Sequence, residues 1–88
     1  MQYVISKHCK EQMKLRGIDE SLVIEILKAP ERIIKENRCN TIFQSVIPDE
    51  NGKKYLFRIF VNDCKQPNLI VTAYRTSKID KYHEDKIR

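Results

Sequence analysis

The hydrophobic periodicity of this 88-residue chain changes at Ala29 and Pro30, and the change limits the folds available to it. Before these residues, apolar side chains recur at three- and four-residue spacing, which is typical of helices. After them come β-branched and aromatic runs separated by turn residues, which are typical of strands. Helices followed by consecutive strands predict an α+β fold, and residues 1–88 have room for a single domain.

Two helices joined by a very short link are predicted first. Ser6 is the expected N-cap of helix one, and Gly17 supplies its left-handed end. Asp19 is the expected cap of helix two, which ends at Ala29 because the residue before a proline disfavours the α region. A link this short predicts an αα-hairpin. The apolar stripes are formed by Cys9, Met13, Val23, Ile26 and Leu27.

Four strands are predicted next, and their short links indicate an antiparallel meander. The helices are expected to pack on one face of this four-stranded antiparallel sheet. A short N-terminal strand at residues 3–5 and a C-terminal helical tail from Ser77 are further expectations, the tail resting on Ile79, Tyr82, His83 and Ile87 at helical spacing. The four strand runs are residues 33–34, 41–47, 54–61 and 69–75.

Composition indicates a globular protein with a preference for anionic partners. Seventeen Lys and Arg against twelve Asp and Glu give a net charge of +5, which favours polyanions. No apolar run approaches the ~20 residues of a membrane span, and the N-terminus is too short for a signal peptide, so a cytoplasmic location is expected. Cys9, Cys39 and Cys64 form no C-x-x-C pair, so reduced thiols, no metal and no cofactor are expected.

Strand alternation predicts a second, polar face of the sheet. Arg58 alternates with apolar neighbours and shares a face with Leu56 and Phe60. The purely apolar sets are expected under the helices; they are Tyr55, Phe57, Ile59 and Val61 in one strand and Leu69, Val71 and Ala73 in the last. The other face then carries Arg58, Thr72 and Tyr74, together with Ile70 and with Gln44 from the neighbouring strand.

Each polar candidate has a structural interpretation beside a functional one. Arg58 either packs its stem on Phe60 with its guanidinium in water, or binds a phosphate bidentately. His8 is either a half-buried surface histidine or a proton-transfer group, since its ordinary pKa is ~6.5. Arg16 either bonds helix carbonyls or pairs with Glu31, or else reaches the same polar site as His8.

Five short motifs, taken in order, carry a family resemblance over about residues 3–74. The sequence resembles a family of small bacterial and phage-borne domains of unassigned function. That family looks like a branch of the RelE/ParE toxin superfamily, within the barnase-EndoU-colicin-RelE type of fold. The motifs are Ser6-Lys7-His8, Arg16-Gly17-Ile18, Leu27-Lys28-Ala29-Pro30-Glu31, Phe57-Arg58-Ile59 and Val71-Thr72-Ala73-Tyr74.

The resemblance implies a toxin-type, metal-independent endoribonuclease of a toxin-antitoxin system, acting on RNA or the ribosome and held inactive by an antitoxin protein. The substrate 2′-hydroxyl would attack the adjacent phosphate. The alternative is a non-catalytic interaction module that binds a protein partner or RNA through the Arg58, Thr72 and Tyr74 face. The implied catalytic residues are His8, Arg58 and Tyr74, and the implied substrate-binding residues are Arg16, Thr72, Arg75 and Lys78.

Overall fold

The computed structural model describes residues 2–80, which form two helices and five strands. Within this range no helix has the length and apolar character needed to cross a membrane. The last element is β5, and beyond it only Ile79 and Asp80 have helical backbone among the described residues, so they do not establish a C-terminal helix. Tyr82, His83 and Ile87 lie outside the described residues. The elements are β1 Tyr3–Ile5, α1 Lys7–Arg16, α2 Glu20–Lys28, β2 Arg32–Lys35, β3 Asn40–Pro48, β4 Lys54–Asn62 and β5 Asn68–Thr76.

The predicted helix boundaries are confirmed; capping determines those of α1, whereas the Asp19 side chain makes no cap hydrogen bond at the start of α2. The Ser6 hydroxyl accepts a hydrogen bond from the Cys9 backbone N–H at 3.0 Å, which satisfies a donor in the first turn of α1. Gly17 ends α1 in the left-handed region with φ 68°. Ile18 and Val23 are both buried where α2 begins, as expected for a hydrophobic staple.

The prediction of a four-stranded antiparallel sheet is wrong. Strands β2 to β5 form the predicted antiparallel meander, but β1 adds a fifth strand parallel to β5, so the sheet is mixed, with the order β1-β5-β4-β3-β2. Ser6 extends this contact, since its N–H donates to the Ile70 carbonyl at 3.0 Å. No turn links two strands that lie at opposite ends of the chain, so local sequence carries no signal of their pairing.

A β-bulge in β5 overturns the predicted placement of Ile70. Phe60 pairs with Thr72 but Val61 pairs with Ile70, so Val71 is an extra residue in the ladder. An extra residue reverses the alternation of side chains before it. Ile70 therefore lies on the helix side, fully buried in the core, rather than with Thr72 and Tyr74.

The two helices pack on one side of the sheet and form the core there. The opposite side, here called the second face, carries Gln44, Arg58, Phe60, Thr72 and Tyr74, as alternation along β3, β4 and β5 requires. The core residues are Cys9, Met13, Ile18, Val23, Ile26, Leu27, Phe57, Ile59, Val61, Ile70 and Ala73.

The expectation of reduced thiols is wrong for two of the three cysteines. Cys39 and Cys64 form a disulfide across 25 residues, with their Cα atoms 5.0 Å apart. The β3–β4 register explains the contact, because Asn40 pairs with Asn62 and brings the two flanking loops together. Cys9 is a free, fully buried thiol, and burial raises its pKa.

Asp63 consolidates the same pair of loops. Its N–H donates to the Cys39 carbonyl at 2.9 Å. Its carboxylate accepts hydrogen bonds from Lys35 and Thr41, both at 2.7 Å. The bond from Lys35, and after it the bond from Thr41, lowers the pKa of Asp63. The carboxylate therefore stays ionised in the folded protein.

Candidate functional site

Three directly opposed side chains form a hydrogen-bonded row across the second face. Gln44 pairs with Arg58 in the β3–β4 register, and Arg58 pairs with Tyr74 in the β4–β5 register. Arg58 Nε donates to Gln44 Oε1 at 3.0 Å, and Arg58 Nη1 donates to Tyr74 Oη at 2.9 Å. The structure thus brings together the arginine and the phenol that alternation placed on one face.

The Arg58 guanidinium lies over the ring of Phe60. Its Cζ lies 5.4 Å from the centroid of the Phe60 ring, within the range of cation–π attraction. Phe60 and Tyr74 stack with their centroids 5.8 Å apart. Arg58 is only 7% exposed, so the interpretation that placed its guanidinium in water is wrong. Thr72, opposite Phe60, is half-buried on the same face.

Gln44 contributes a buried amide to the row, and the two polar atoms of this amide have different surroundings. Its side chain is fully buried, and its Oε1 is committed to Arg58. The amide Nε2 consequently points elsewhere, and it has no hydrogen-bond partner within the described part of the chain. A buried donor in this state is uncommon and raises the free energy of the folded protein.

Arg16, on the helix side of the sheet, is anchored to the backbone of β5. Its Nη1 donates to the Ala73 carbonyl at 2.9 Å, and Ala73 lies between Thr72 and Tyr74. Arg16 therefore bonds a strand carbonyl rather than a helix carbonyl. Glu31, its other expected partner, accepts a hydrogen bond from the Val46 N–H instead.

His8 lies in a different layer from the Arg58 row. It is exposed on α1, next to the fully buried Cys9. Helix α1 packs on the helix side of the sheet, whereas Arg58 projects from the other side. Among residues 2–80, no hydrogen bond connects His8 with Arg58 or Tyr74.

Arg75 and Lys78 are likewise not part of the row. Arg75 directly follows Tyr74, so it projects to the helix side, where its Cζ lies 4.7 Å from the Tyr55 ring centroid. Lys78 is exposed beyond the end of β5, where its backbone N–H donates to the Thr76 hydroxyl at 3.1 Å. Residues 2–80 contain no cluster of three or more His, Cys, Asp or Glu side chains that could hold a metal ion.

The sequence interpretation missed the stacking role of Phe60 and the part that Arg75 plays on the helix side. The alternation of side chains along each strand predicts the face of both residues. Phe60 shares the parity of Arg58 along β4, and Arg75 has the opposite parity to Tyr74 along β5. Parity along each strand therefore identifies the face on which each of these side chains lies.

Comparison with known proteins identifies a family without a described activity. No curated protein and no solved structure matches the chain significantly. Residues 5–75 match the family described as "Domain of unknown function (DUF4258)", and this match covers most of the 88-residue chain. The chain therefore belongs to the DUF4258 family.

Proposed function

We propose that this domain is an RNA-binding module whose second face contacts RNA through Tyr74, Phe60 and Thr72. The observation that carries the proposal is the Arg58 row, in which a guanidinium bonds Tyr74 at 2.9 Å beneath a stacked aromatic pair. Such a surface offers an unpaired base an aromatic ring on which to stack. The buried Arg58 charge beneath this surface also attracts the adjacent phosphate without contacting it directly.

The placement of these groups supports RNA more than a neutral partner. Arg58 is always charged and is held between Gln44 and Tyr74 on central strands, so its position is fixed before any ligand arrives. The Thr72 hydroxyl, opposite Phe60, is a hydrogen-bond donor for a phosphate oxygen or a ribose hydroxyl. The net charge of +5 adds long-range attraction.

The resemblance to RelE/ParE-like domains supports the same class of target. Under this proposal the partners are RNA or the ribosome and an antitoxin protein that covers the RNA-binding face. The proposed location is the cytoplasm, where the glutathione and thioredoxin systems keep most cysteines reduced. RNA binding should therefore be measured with the Cys39–Cys64 pair both oxidised and reduced.

Replacing Tyr74 with Leu is expected to weaken RNA binding about tenfold, because stacking on one aromatic ring contributes ~1–3 kcal/mol per base. Tyr74→Phe keeps the ring and is expected to retain most of the affinity. Fluorescence anisotropy with a labelled single-stranded oligouridine measures Kd, and the affinity should fall steeply with salt.

Phe43→Leu is the matched control, since Phe43 is a half-buried aromatic residue packed against the core on the helix side. It removes an aromatic ring of similar size without touching the second face. Circular dichroism checks that all three variants are folded. Equal losses of affinity for Phe43→Leu and Tyr74→Leu, or no loss for Tyr74→Leu, would contradict the proposal.

A second candidate, the metal-independent endoribonuclease, is favoured by one specific contact. The cation and the phenol that the resemblance assigns to catalysis touch each other, through Arg58 Nη1 and Tyr74 Oη. In this candidate the 2′-hydroxyl attacks the adjacent phosphorus, leaving a 2′,3′-cyclic phosphate and a free 5′-hydroxyl. Arg58 stabilises the charge on the phosphoryl oxygens, Tyr74 transfers one proton and solvent the other, and His8, which the resemblance implies as a catalytic residue, takes no part because it lies in the helix layer.

Cleavage is expected to separate from binding in Tyr74→Phe, which keeps the stacking ring but lacks the hydroxyl. Purified antitoxin-free protein is incubated with ribosomes and with naked RNA, and the products are resolved by gel electrophoresis. The ribonuclease candidate predicts at least a hundredfold slower cleavage for Tyr74→Phe, because general acid–base catalysis contributes about 10²–10⁴-fold, and unchanged cleavage for His8→Ala, because His8 lies in the helix layer. If the unmodified protein binds the oligonucleotide but does not cleave it, the ribonuclease candidate is excluded and the RNA-binding module is the candidate that remains.

A further inference from the structure

A second concave site lies on the helix side of the sheet, away from the Arg58 row. It is an open cleft of about 390 Å³, a volume within the range of small-molecule sites. Leu22 contributes from the first turn of α2, Tyr55 and Phe57 from β4, and Arg75 from β5. The β3–β4 turn and Ile47 close the remaining side.

The walls of the cleft are mainly apolar. Leu22, Ile47 and Tyr55 are partly buried and pack against the core, and Phe57 is itself a core residue. An apolar body in the cleft would replace water on these side chains, which favours binding in proportion to the area covered. The walls alone would accept many ligands, so selectivity has to come from the polar groups at the rim.

Arg75 is the distinctive polar group of the cleft. Its Cζ lies over the Tyr55 ring, 4.7 Å from the ring centroid, and the Lys53 ammonium lies 5.5 Å from the same centroid. A guanidinium carries its N–H donors in its own plane, where they can bind a carboxylate with two parallel bonds. No carboxylate among residues 2–80 forms an ion pair with Arg75.

Of the two acidic residues that line the cleft, Asp49 is already used by the turn. Asp49 Oδ1 accepts the backbone N–H groups of Asn51 at 2.8 Å and of Lys53 at 2.9 Å. Asp49 therefore holds the β3–β4 turn rather than neutralising Arg75. Together with Glu50, which also lines the cleft, it makes the rim unfavourable for a multiply charged phosphate.

We propose that this cleft binds a monocarboxylate with an apolar body, its carboxylate on Arg75 and its body against Leu22, Tyr55 and Phe57. The same chemistry is presented by a free aryl or alkyl acid and by the C-terminal residue of a peptide. The site is separate from the proposed RNA-binding face, because Arg75 and Arg58 project from opposite sides of the sheet.

Phenylacetate is the probe, titrated into the isotopically labelled full chain and followed by amide chemical shifts. We expect concentration-dependent shifts at Leu22, Ile47, Tyr55 and Phe57. Phenylacetamide, which has the same ring without the charge, is expected to bind about tenfold or more weakly, because a charge-assisted bidentate bond is lost. Acetyl-Gly-Phe and its C-terminal amide form the second arm and report whether a peptide terminus or a small acid binds better.

Arg75→Gln is expected to reduce the affinity for phenylacetate at least tenfold, while Lys54→Gln should leave it unchanged. Lys54 is an exposed lysine on β4 outside the cleft, and its substitution removes the same charge. Arg75 is exposed, and the spectrum itself reports whether the variant is folded. Equal binding of phenylacetamide, an unaffected Arg75→Gln variant, or no shifts at these residues with either acid would overturn the proposal.

Discussion

Reduction of the Cys39–Cys64 disulfide is expected to lower the free energy of unfolding by about 3 kcal/mol, the stabilisation typical of a closed loop of this size. The bond joins residues 25 apart in sequence and therefore restricts the unfolded chain more than the folded one. Urea denaturation with and without a phosphine reductant measures the difference as a shift of the midpoint.

The matched control is the double variant Cys39→Ser and Cys64→Ser, whose midpoint should not respond to the reductant. Cys9 is a buried free thiol in both proteins and is unchanged by the comparison. Alkylation in denaturant without reductant should modify Cys9 alone, and prior reduction should expose all three cysteines. Identical midpoints for the oxidised and reduced protein would show that the bond does not contribute to stability.

Replacing Arg58 with Met is expected to destabilise the fold by about 2–3 kcal/mol. The substitution removes the donor to Gln44 Oε1 and the donor to Tyr74 Oη. Gln44 is fully buried, so its oxygen is left without a partner, and a buried unsatisfied polar group costs ~1–3 kcal/mol. Chemical denaturation of both proteins at one pH measures the loss.

Gln44→Leu provides the companion variant for a double-mutant cycle. Alone it is also expected to destabilise, because Arg58 Nε loses its acceptor. Combined with Arg58→Met it removes both members of the hydrogen bond. The double variant should then be more stable than the sum of the single effects by about 1–2 kcal/mol. Additive effects would mean that the hydrogen bond between Gln44 and Arg58 contributes no coupling energy.

Local sequence signals predicted the helices and the polar face of the sheet. Ser6 and Gly17 act through bonds and backbone angles within a few residues, so the ends of α1 follow from the sequence. The shared face of Gln44, Arg58 and Tyr74 also follows, because β3, β4 and this part of β5 keep a regular two-residue alternation. Both predictions rest on interactions whose geometry is fixed by the immediate neighbours.

Features created by contacts between distant segments were not predictable in this way. The parallel pairing of Tyr3 with Asn68 has no turn to mark it. The bulge at Val71 involves no glycine that would have revealed it, and it moved Ile70 into the core. The Cys39–Cys64 bond depends on the β3–β4 register, and cysteine spacing alone does not give that register.

The candidate site was predictable in its sheet residues but not in its helix residues. Arg58, Thr72 and Tyr74 share the second face as alternation requires. The bond from Arg16 to the Ala73 carbonyl depends on where α1 crosses β5. The same docking leaves His8 exposed in the helix layer. Sequence periodicity gives the inward side of a helix, but it does not give the strand against which the helix packs.

The parallel contact between β1 and β5 makes completion of the fold depend on the last strand to be synthesised. Residues 3–5 pair with residues 68–70, and α1 packs against β5. On a translating ribosome both N-terminal helices emerge before that strand exists, so their apolar stripes stay uncovered until nearly the whole domain has left the exit tunnel. Domains of this kind fold late during translation, and a chaperone that holds the nascent chain has its greatest effect in that interval.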